Sequence, residues 1–427
     1  MLLSVPPPAG GAPPRPEPPR NHRGLLGPVS PPFLVVAHRF LVMERMFYQV
    51  SCDLRWFPAP VRGHIRFCAG DPAEREETLM LRVDIRKKLG AFDLEAQFSA
   101  DSEPLALLGA SGSGKSVTLK CIAGILRPDE GRIELDGQVL FDSAARVDLP
   151  PQRRGAGYLF QQYALFPNMT VAQNLAAAAR KLPDRDALVA ESLRRFRLED
   201  VAGKRPAAIS GGQQQRTALA RILISRPRVI LLDEPFSALD SYLKYQLELE
   251  LADALNAFSG PILWVTHDRG EAWRACKRVC VMEQGRSQPV QTMESLFRAP
   301  GTRSAARLSG CKNFAAAQPG EQSVFLPQWG VTLSCRRPVP PRTAAVGLRS
   351  HHLHLAAPGE ENAFSCEVAR VIDDVFASIL LLRPAGAEPV APLLRMELDK
   401  AVWAAHDRET AVMAAIRPED VLLLEDL

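Results

Sequence analysis

The sequence lacks the features that mark membrane-spanning, secreted and metal-clip proteins. No apolar run approaches the roughly 20 residues that a membrane-spanning helix needs, the N-terminus has no basic signal region, and the eight cysteines form no CxxC pair. Lysine and arginine form no long block, and the net charge of +4 is too small to indicate nucleic-acid binding. These absences predict a soluble cytosolic protein with reduced thiols and no nucleic-acid partner.

The first 79 residues also lack the regular patterns of a folded domain. Residues 1–32 contain eleven prolines and almost no periodic apolar pattern, and residues 33–79 contain no clear element sequence and no lysine. This composition predicts that residues 1–79 are disordered or are not native, with Met80 as the native start. The alternative is a genuine N-terminal extension that docks on a partner.

From Met80 onward the sequence alternates between strand and helix patterns. LRVDIRKKL and FDLEAQF alternate apolar and polar residues, as two paired half-buried strands do. The apolar runs LALL, VILLDEP and PILWVTHD are each followed by a segment with helical spacing. This order predicts an α/β domain over residues 80–300, with a largely parallel sheet covered by helices and a helical insert at about residues 162–226.

Residues 301–427 have short β-rich patterns instead. Two of these patterns resemble each other, since Val346 to Leu355 begins with VGLRS and Ala414 to Leu423 begins with AAIRP. An internal repeat within a β-rich segment suggests a small barrel. The sequence therefore predicts a second, β-rich domain after the α/β domain.

A glycine-rich loop separates the LALL strand pattern from a helix pattern. GASGSGKS at residues 109–116 fits GxxxxGK[ST] in full. Its glycines let backbone N–H groups face phosphate oxygens, and the helix start adds positive potential. We expect Lys115 to neutralise the β- and γ-phosphates and the Ser116 hydroxyl to join a Mg²⁺ shell. The nucleotide-binding residues predicted here are Gly109, Ala110, Ser111, Gly112, Ser113, Gly114, Lys115 and Ser116.

Polar residues follow three other strand patterns. Asp233 and Glu234 end a strand at the carboxyl edge where open α/β sheets bind ligands. Asp233 is placed to hold Mg²⁺ through water, and Glu234 is placed to polarise the attacking water. His267 ends another strand and is expected to contact a γ-phosphate. Gln161 opens the helical insert, where it can reach Mg²⁺ or water, and the adjacent Gln162 is the alternative.

A second glycine-rich segment, Ser210-Gly211-Gly212-Gln213, lies between the phosphate-binding loop and the VILLDEP strand. The loop wraps one side of a phosphate chain, so a second nest of backbone N–H groups is a candidate to close the other side. Many nucleotide-binding proteins have the loop and the acidic strand end, but far fewer have this segment. It is the most specific indication of function in the sequence.

Together these residues resemble the ATP-binding subunits of ABC transporters, over about residues 80–427. The resemblance implies a P-loop NTPase fold with a helical insert subdomain and a C-terminal OB- or TOBE-like regulatory domain. Ile209 departs from the leucine that usually starts the signature, with little expected effect because both are apolar. Phe92 is the candidate for stacking on adenine. The motifs follow the family order: Walker A at 109–116, Q-loop at Gln161, signature at 210–213, Walker B at 229–233, catalytic Glu234, D-loop at 237–240 including Asp240, and switch His267.

The resemblance also implies how such a subunit works. Because a signature cannot easily reach its own Walker A loop, two copies would form a homodimer that sandwiches two ATP molecules with Mg²⁺. Hydrolysis would open the dimer, and the helical insert would pass that motion through Gln161 to a separate integral membrane permease. This implies a peripheral subunit on the cytoplasmic face of the inner membrane. A periplasmic oxyanion-binding protein would be an indirect partner.

Within the family, a single ATP-binding unit with no fused membrane segment resembles a bacterial importer subunit. LFDSAARVDLPPQRRGAGYLFQQYALFPNMTV and ARLSGCKN look most like the molybdate ATPases. Sulfate, thiosulfate and the other substrates of the TOBE-containing branch are the alternatives. A soluble repair or translation ATPase is disfavoured, since no long coiled coil separates the ATP motifs and the chain has one unit. A binding-only regulator is disfavoured by Asp233, Glu234 and His267.

Overall fold

The structure, a computed structural model, describes residues 79–237, 241–256, 258–406 and 409–425. All of these residues belong to one unit. The predicted N-terminal extension, apart from Leu79, lies outside the described residues, and so does Asp240. In the part of the chain that is described, no helix is both long and apolar enough to cross a membrane.

Twelve strands, β1 to β12, form one mixed sheet in the first part of the described chain. The strand order is β6-β5-β4-β1-β2-β11-β10-β3-β9-β8-β7, and β12 pairs with β10. The bounds of β1 to β6 are Leu81–Leu89, Phe92–Ala100, Leu105–Leu108, Glu130–Leu135, Gln138–Asp142 and Val147–Asp148. The bounds of β7 to β12 are Ala156–Leu159, Val229–Asp233, Ile262–Thr266, Arg278–Glu283, Arg286–Ser287 and Gln291–Thr292.

The expectation of a largely parallel sheet is correct for only one half of this sheet. Strands β7, β8, β9, β3 and β10 are parallel neighbours, whereas β2, β1, β4, β5 and β6 pair antiparallel. Short turns join β1 to β2, β4 to β5 and β5 to β6, and such turns allow only antiparallel pairing. Strand β1 pairs with β4 without a short turn between them. The turn from β1 to β2 contains Gly90, whose φ of +62° suits glycine.

Among the described residues, eight α-helices accompany the sheet. Three of them lie within the predicted helical insert: α2 (Val171–Ala178), α3 (Arg185–Arg195) and α4 (Gly211–Ile224). The helix α2 begins at a capping box in which the Thr170 side chain accepts from the Gln173 N–H and the Gln173 side chain accepts from the Thr170 N–H. The bounds of α1 to α4 are Lys115–Ala123, Val171–Ala178, Arg185–Arg195 and Gly211–Ile224. The bounds of α5 to α8 are Ser241–Leu255, Arg269–Ala275, Met293–Arg298 and Arg303–Leu308.

The parallel strands are buried on both faces. In β8, Ile230 and Leu232 belong to one hydrophobic cluster, which includes residues of the helical insert. Val229 and Leu231 belong to another, which includes residues of α1 and of the antiparallel strands. Successive strand residues point to opposite faces, so a continuous apolar run fills both layers. This arrangement leaves Asp233 at the carboxyl end of a rigid strand.

The C-terminal part is β-rich, as predicted. Its strands form sheets of order β13-β17-β23, β14-β15-β16 and β18-β22-β19-β20-β21. The bounds of β13 to β18 are Asn313–Ala316, Gln318–Pro319, Ser323–Leu326, Val331–Ser334, Thr343–Leu348 and His354–Leu355. Helix α9 spans Lys400–Ala404, and the bounds of β19 to β23 are Phe364–Asp373, Ala377–Pro384, Leu394–Asp399, Ala411–Ala415 and Leu422–Glu425.

The internal repeat has a structural counterpart. The first copy spans β17 and β18, and the second copy spans β22 and β23. Each copy pairs with the other: Val346 of β17 faces Leu423 of β23, and His354 of β18 faces Ala415 of β22. The first strand of each copy thus pairs with the second strand of the other copy.

Candidate nucleotide site

The predicted phosphate-binding loop is a tight turn between β3 and α1. Gly112 and Gly114 have φ values of +80° and +102°, in a region that glycine adopts without strain. A Cβ atom on Gly109 would lie 2.3 Å from the carbonyl oxygen of Met282. The loop therefore needs glycine for two reasons, left-handed backbone at two positions and close approach to β10 at the third.

The Lys115 ammonium is held within this loop. Lys115 is only 4% exposed, and its Nζ donates to the carbonyl oxygens of Gly109 and Ala110, each at 2.8 Å. Burial lowers the pKa of Lys115, and the negative charges of Glu234 and Asp233 oppose that change. The Lys115 ammonium is bonded to neutral carbonyl oxygens, and the Asp233 and Glu234 carboxylates lie farther away. Its positive charge is therefore well placed to bind the phosphates of a nucleotide.

Asp233 lies beside the loop and is 7% exposed. Its Oδ1 accepts a hydrogen bond from the Ser116 hydroxyl at 2.7 Å, and its Oδ2 accepts one from the Tyr158 hydroxyl at 2.8 Å. Burial raises the pKa of Tyr158, and the nearby Asp233 carboxylate raises it further. The hydroxyl of Ser116 and the carboxylate of Asp233 are hard oxygen donors side by side, which fits the chemistry of Mg²⁺.

Glu234 and His267 meet at the ends of neighbouring strands. The Glu234 N–H donates to the Val265 carbonyl at 3.0 Å, which fixes the end of β8 against β9. His267 Nδ1 lies 3.3 Å from Glu234 Oε1. The His267 side chain is 58% exposed and that of Glu234 is 17% exposed, so the pair faces solvent at the predicted edge of the sheet. A water molecule or a phosphate can approach both side chains there.

Phe92 and Gln161 lie at two other sides of the loop region. Phe92 starts β2, and a Cβ on Gly114 would lie 3.1 Å from its Cζ atom, so the ring packs against the phosphate-binding loop. Stacking of Phe92 on adenine stays a prediction. Gln161 and Gln162 are both exposed in the turn that follows β7, and the geometry favours neither over the other.

The segment 210–213 is not brought to the loop of its own chain. It forms the N-terminus of α4, where Ser210 Oγ accepts from the Gln213 N–H at 3.3 Å and Gln213 Oε1 accepts from the Ser210 N–H at 3.0 Å. Within the described residues, no hydrogen bond or ion pair joins this segment to residues 109–116. Ser210 and Gly211 are exposed, so this helix start is open to another molecule.

Tyr158 is the residue that the sequence analysis missed. Tyr158 precedes Gln161 by three positions, and no sequence motif marks it. Its role depends on the pairing of β7 with β8, in a register that sets Tyr158 opposite Leu231. Leu231 and Asp233 share one face of β8 because side chains alternate along a strand. The register therefore brings the Tyr158 hydroxyl to Asp233, and a register cannot be read from one strand alone.

The arrangement of these motifs agrees with comparisons to known proteins. A family model described as ABC transporter matches residues 94–237. A molybdate/tungstate import ATP-binding protein from Archaeoglobus fulgidus is 41% identical over 223 residues, covering 52% of this chain and 90% of that protein. The chain belongs to the family of ABC transporter ATP-binding proteins.

Other members of the ABC family resemble the chain to different extents. A molybdenum import ATP-binding protein from Paramagnetospirillum magneticum is 40% identical over 226 residues, which are 52% of this chain but only 62% of that protein. A spermidine/putrescine import ATP-binding protein from Rubrobacter xylanophilus is 34% identical over 356 residues, covering 79% of this chain and 89% of that protein. A solved ATP binding subunit of an ABC transporter has 29% identity and a TM-score of 0.44, covering 52% of this chain and 92% of its own.

Proposed function

We propose that the chain is the ATP-hydrolysing subunit of a bacterial ABC importer, and that molybdate is the transported substrate. The observation that carries the ATPase part is the convergence of Lys115, Ser116 and Asp233 with the Glu234–His267 pair at one edge of the sheet. Lys115 supplies a cation for the phosphates, and Ser116 and Asp233 supply oxygen donors for a metal. Glu234 and His267 supply a carboxylate and an imidazole beside the attacking water.

Each side chain has a distinct task in this proposal. The loop N–H groups and Lys115 bind the β- and γ-phosphates, which lowers the charge that repels an incoming nucleophile. Ser116 and Asp233 would hold Mg²⁺, which when bound neutralises charge on the phosphate oxygens. Glu234 orients a water molecule and accepts its proton. His267, held beside Glu234, contacts the γ-phosphate.

The signature segment completes the site of a second copy. Ser210, Gly211 and Gly212 present the positive end of α4 to solvent, which is a favourable position for the γ-phosphate of a nucleotide held by another chain. Two such contacts related by a twofold axis would close two ATP molecules between two chains. Hydrolysis removes the phosphate that bridges them, and the separated halves move the helical insert against a membrane permease.

The substrate part of the proposal rests on the relatives. Two of the similar proteins are named as molybdenum or molybdate/tungstate importers. The second candidate is a polyamine importer, because the similar spermidine/putrescine protein aligns over 356 residues, a length that extends beyond the 223 residues of the molybdate/tungstate match. Sulfate or thiosulfate import is a further alternative. A soluble ABC ATPase that acts without a membrane partner is the least favoured.

Uptake by cells separates these candidates. Deletion of the gene from its own host should abolish uptake of radiolabelled molybdate and leave sulfate and spermidine uptake unchanged. Wild-type protein should restore uptake, and Lys115→Ala should not, because it removes the phosphate-binding cation. Affinity purification of the tagged chain from detergent-solubilised membranes should recover an integral membrane protein. Loss of spermidine or sulfate uptake instead would reassign the substrate. Normal uptake of all three would reject these three substrates, and the absence of a co-purified integral membrane protein as well would reject the importer proposal.

A further inference from the structure

Both oxygens of the Asp233 carboxylate are occupied by hydroxyl donors. The Ser116 hydroxyl donates to Oδ1 at 2.7 Å and the Tyr158 hydroxyl donates to Oδ2 at 2.8 Å. Ser116 is part of the phosphate-binding loop, so its bond to Asp233 belongs to the site already described. Tyr158 belongs to β7, a different strand, and the sequence analysis assigned it no role.

The position of Tyr158 is fixed by its strand and by its neighbours. Strand β7 pairs with β8 over four residues, from Ala156 opposite Val229 to Leu159 opposite Leu232. The Tyr158 ring packs beside that of Phe160, with centroids 4.3 Å apart, and joins the cluster that covers one face of the sheet. A phenol anchored in this way has little freedom, so its hydroxyl holds the carboxylate in one orientation.

We propose that Tyr158 is a positioning residue for the magnesium site, acting through Asp233. By binding Oδ2, the hydroxyl keeps Oδ1 turned toward Ser116, where the two metal-side oxygens lie together. This inference rests on the proposed function, because it assigns Asp233 and Ser116 to Mg²⁺. It adds a residue that does not touch nucleotide or metal and that sets the geometry of one that does.

The hydrogen bond from Tyr158 to Asp233 also connects the metal side of the site to the turn that carries Gln161. Gln161 follows Tyr158 by three positions, in the turn where β7 leads into the helical insert. A shift of the Asp233 carboxylate would therefore be transmitted through Tyr158 to β7, the strand that ends just before Gln161. The hydroxyl bond connects the metal side of the site to the start of the insert by one side chain.

Tyr158→Phe tests the inference because it removes only the hydroxyl and keeps the ring that packs on Phe160. The readout is binding of a ribose-labelled fluorescent ATP analogue, titrated with MgCl₂ in one series and with EDTA in another. We expect the variant to need roughly tenfold more Mg²⁺ for half-maximal binding, the usual cost of losing a group that orients a metal ligand. Affinity for the analogue in EDTA should equal that of wild type.

Tyr163→Phe is the matched control. Tyr163 is 6% exposed, and within the described residues its hydroxyl has no hydrogen-bond partner. Its removal should leave the Mg²⁺ dependence unchanged. Melting curves and far-UV circular dichroism without nucleotide check that both variants fold.

Comparing Asp233→Asn with the double variant Asp233→Asn, Tyr158→Phe tests whether Tyr158 acts through Asp233. In an Asp233→Asn background, adding Tyr158→Phe should change the Mg²⁺ dependence by less than twofold, since its target carboxylate is already lost. An unchanged Mg²⁺ dependence in Tyr158→Phe alone, or an equal tenfold shift in the Asp233→Asn background, would overturn the inference. Absence of saturable analogue binding by wild-type protein would reject the proposed function itself, and the inference with it.

Discussion

Glu234 is held in an unusual backbone conformation. Its φ is +47°, a left-handed value that costs energy for a residue with a side chain and that is enriched at functional sites. Hydrogen bonds maintain it: the Glu234 N–H donates to Val265, and the Glu234 carbonyl accepts from the Ser237 hydroxyl at 3.1 Å. The strained residue turns its carboxylate out of the sheet toward His267, where a water molecule can reach it.

Glu234→Gln therefore separates binding from turnover. The amide keeps the shape of the side chain but cannot accept a proton, so we predict an ATPase rate lower by roughly 10²–10⁴-fold. ATP affinity should stay close to that of wild type. Glu134→Gln is the control, because Glu134 lies on β4 and pairs with Arg132. Phosphate release measures the rate, and full turnover by Glu234→Gln would exclude a general-base role.

Individual motif residues could be predicted because their chemistry is encoded by local spacing. Lys115, Ser116 and Asp233 follow from a loop pattern and a strand end, and the structure brings them together. Tyr158 could not be predicted, because its contact with Asp233 joins residues 75 positions apart in the chain and depends on strand register. Local patterns do not specify register unless a turn connects the two strands.

Ser210, at the N-terminus of helix α4, has two functions in this account. Ser210 forms half of the capping box that satisfies N–H groups at the start of this helix. The same hydroxyl is proposed to face the γ-phosphate on a second chain. Truncating the Ser210 side chain is therefore expected to change both the stability of the protein and its ATPase activity.

Two substitutions at Ser210 separate these functions. Ser210→Ala loses the cap and should lower the free energy of unfolding by about 1 kcal/mol. Ser210→Asp keeps a good N-cap residue and should melt close to wild type, yet its carboxylate repels a phosphate. We predict that the aspartate variant is the more stable of the two but has the lower ATPase rate. An aspartate variant with wild-type turnover would exclude Ser210 from phosphate contact.

Element type was more predictable than element pairing. Alternation identified β1 and β2, and continuous apolar runs identified β8 and β9, because burial on one or two faces leaves distinct patterns. The pairing of β1 with β2 was predicted correctly, but the other partners of these strands were not predicted. Short turns join β1 to β2 and β4 to β5, but β1 also pairs with β4 without a short turn. The 12-stranded order places β11 beside β2 through residues 190 positions apart.

The whole chain combines a nucleotide-binding part with a β-rich part in one described unit. Arg349, in the first copy of the C-terminal repeat, donates to the carbonyl oxygens of Phe297 and Ser309 at the ends of α7 and α8. Arg349 is 5% exposed, and burial lowers its pKa. A buried guanidinium that binds two helix C-termini connects the repeat firmly to the helices that follow the sheet.

The described residues carry two half-sites that no hydrogen bond or ion pair joins within one chain. The loop, Asp233 and Glu234 lie at the sheet edge, while the exposed start of α4 belongs to the helical insert. Sequence motifs predicted both halves, but only a second chain can join them in the proposed arrangement. Dimerisation driven by ATP is therefore the property on which the proposed function depends most.

The mass of Glu234→Gln protein in solution measures this property directly. Size-exclusion chromatography with light scattering in ATP and Mg²⁺ should give twice the 46.8 kDa mass of the chain, because bound ATP is not hydrolysed and bridges two copies. The single-chain mass should appear in ADP, and also in ATP when Ser210→Asp is added. ATP-saturated Glu234→Gln protein that stays at 46.8 kDa would contradict the shared site.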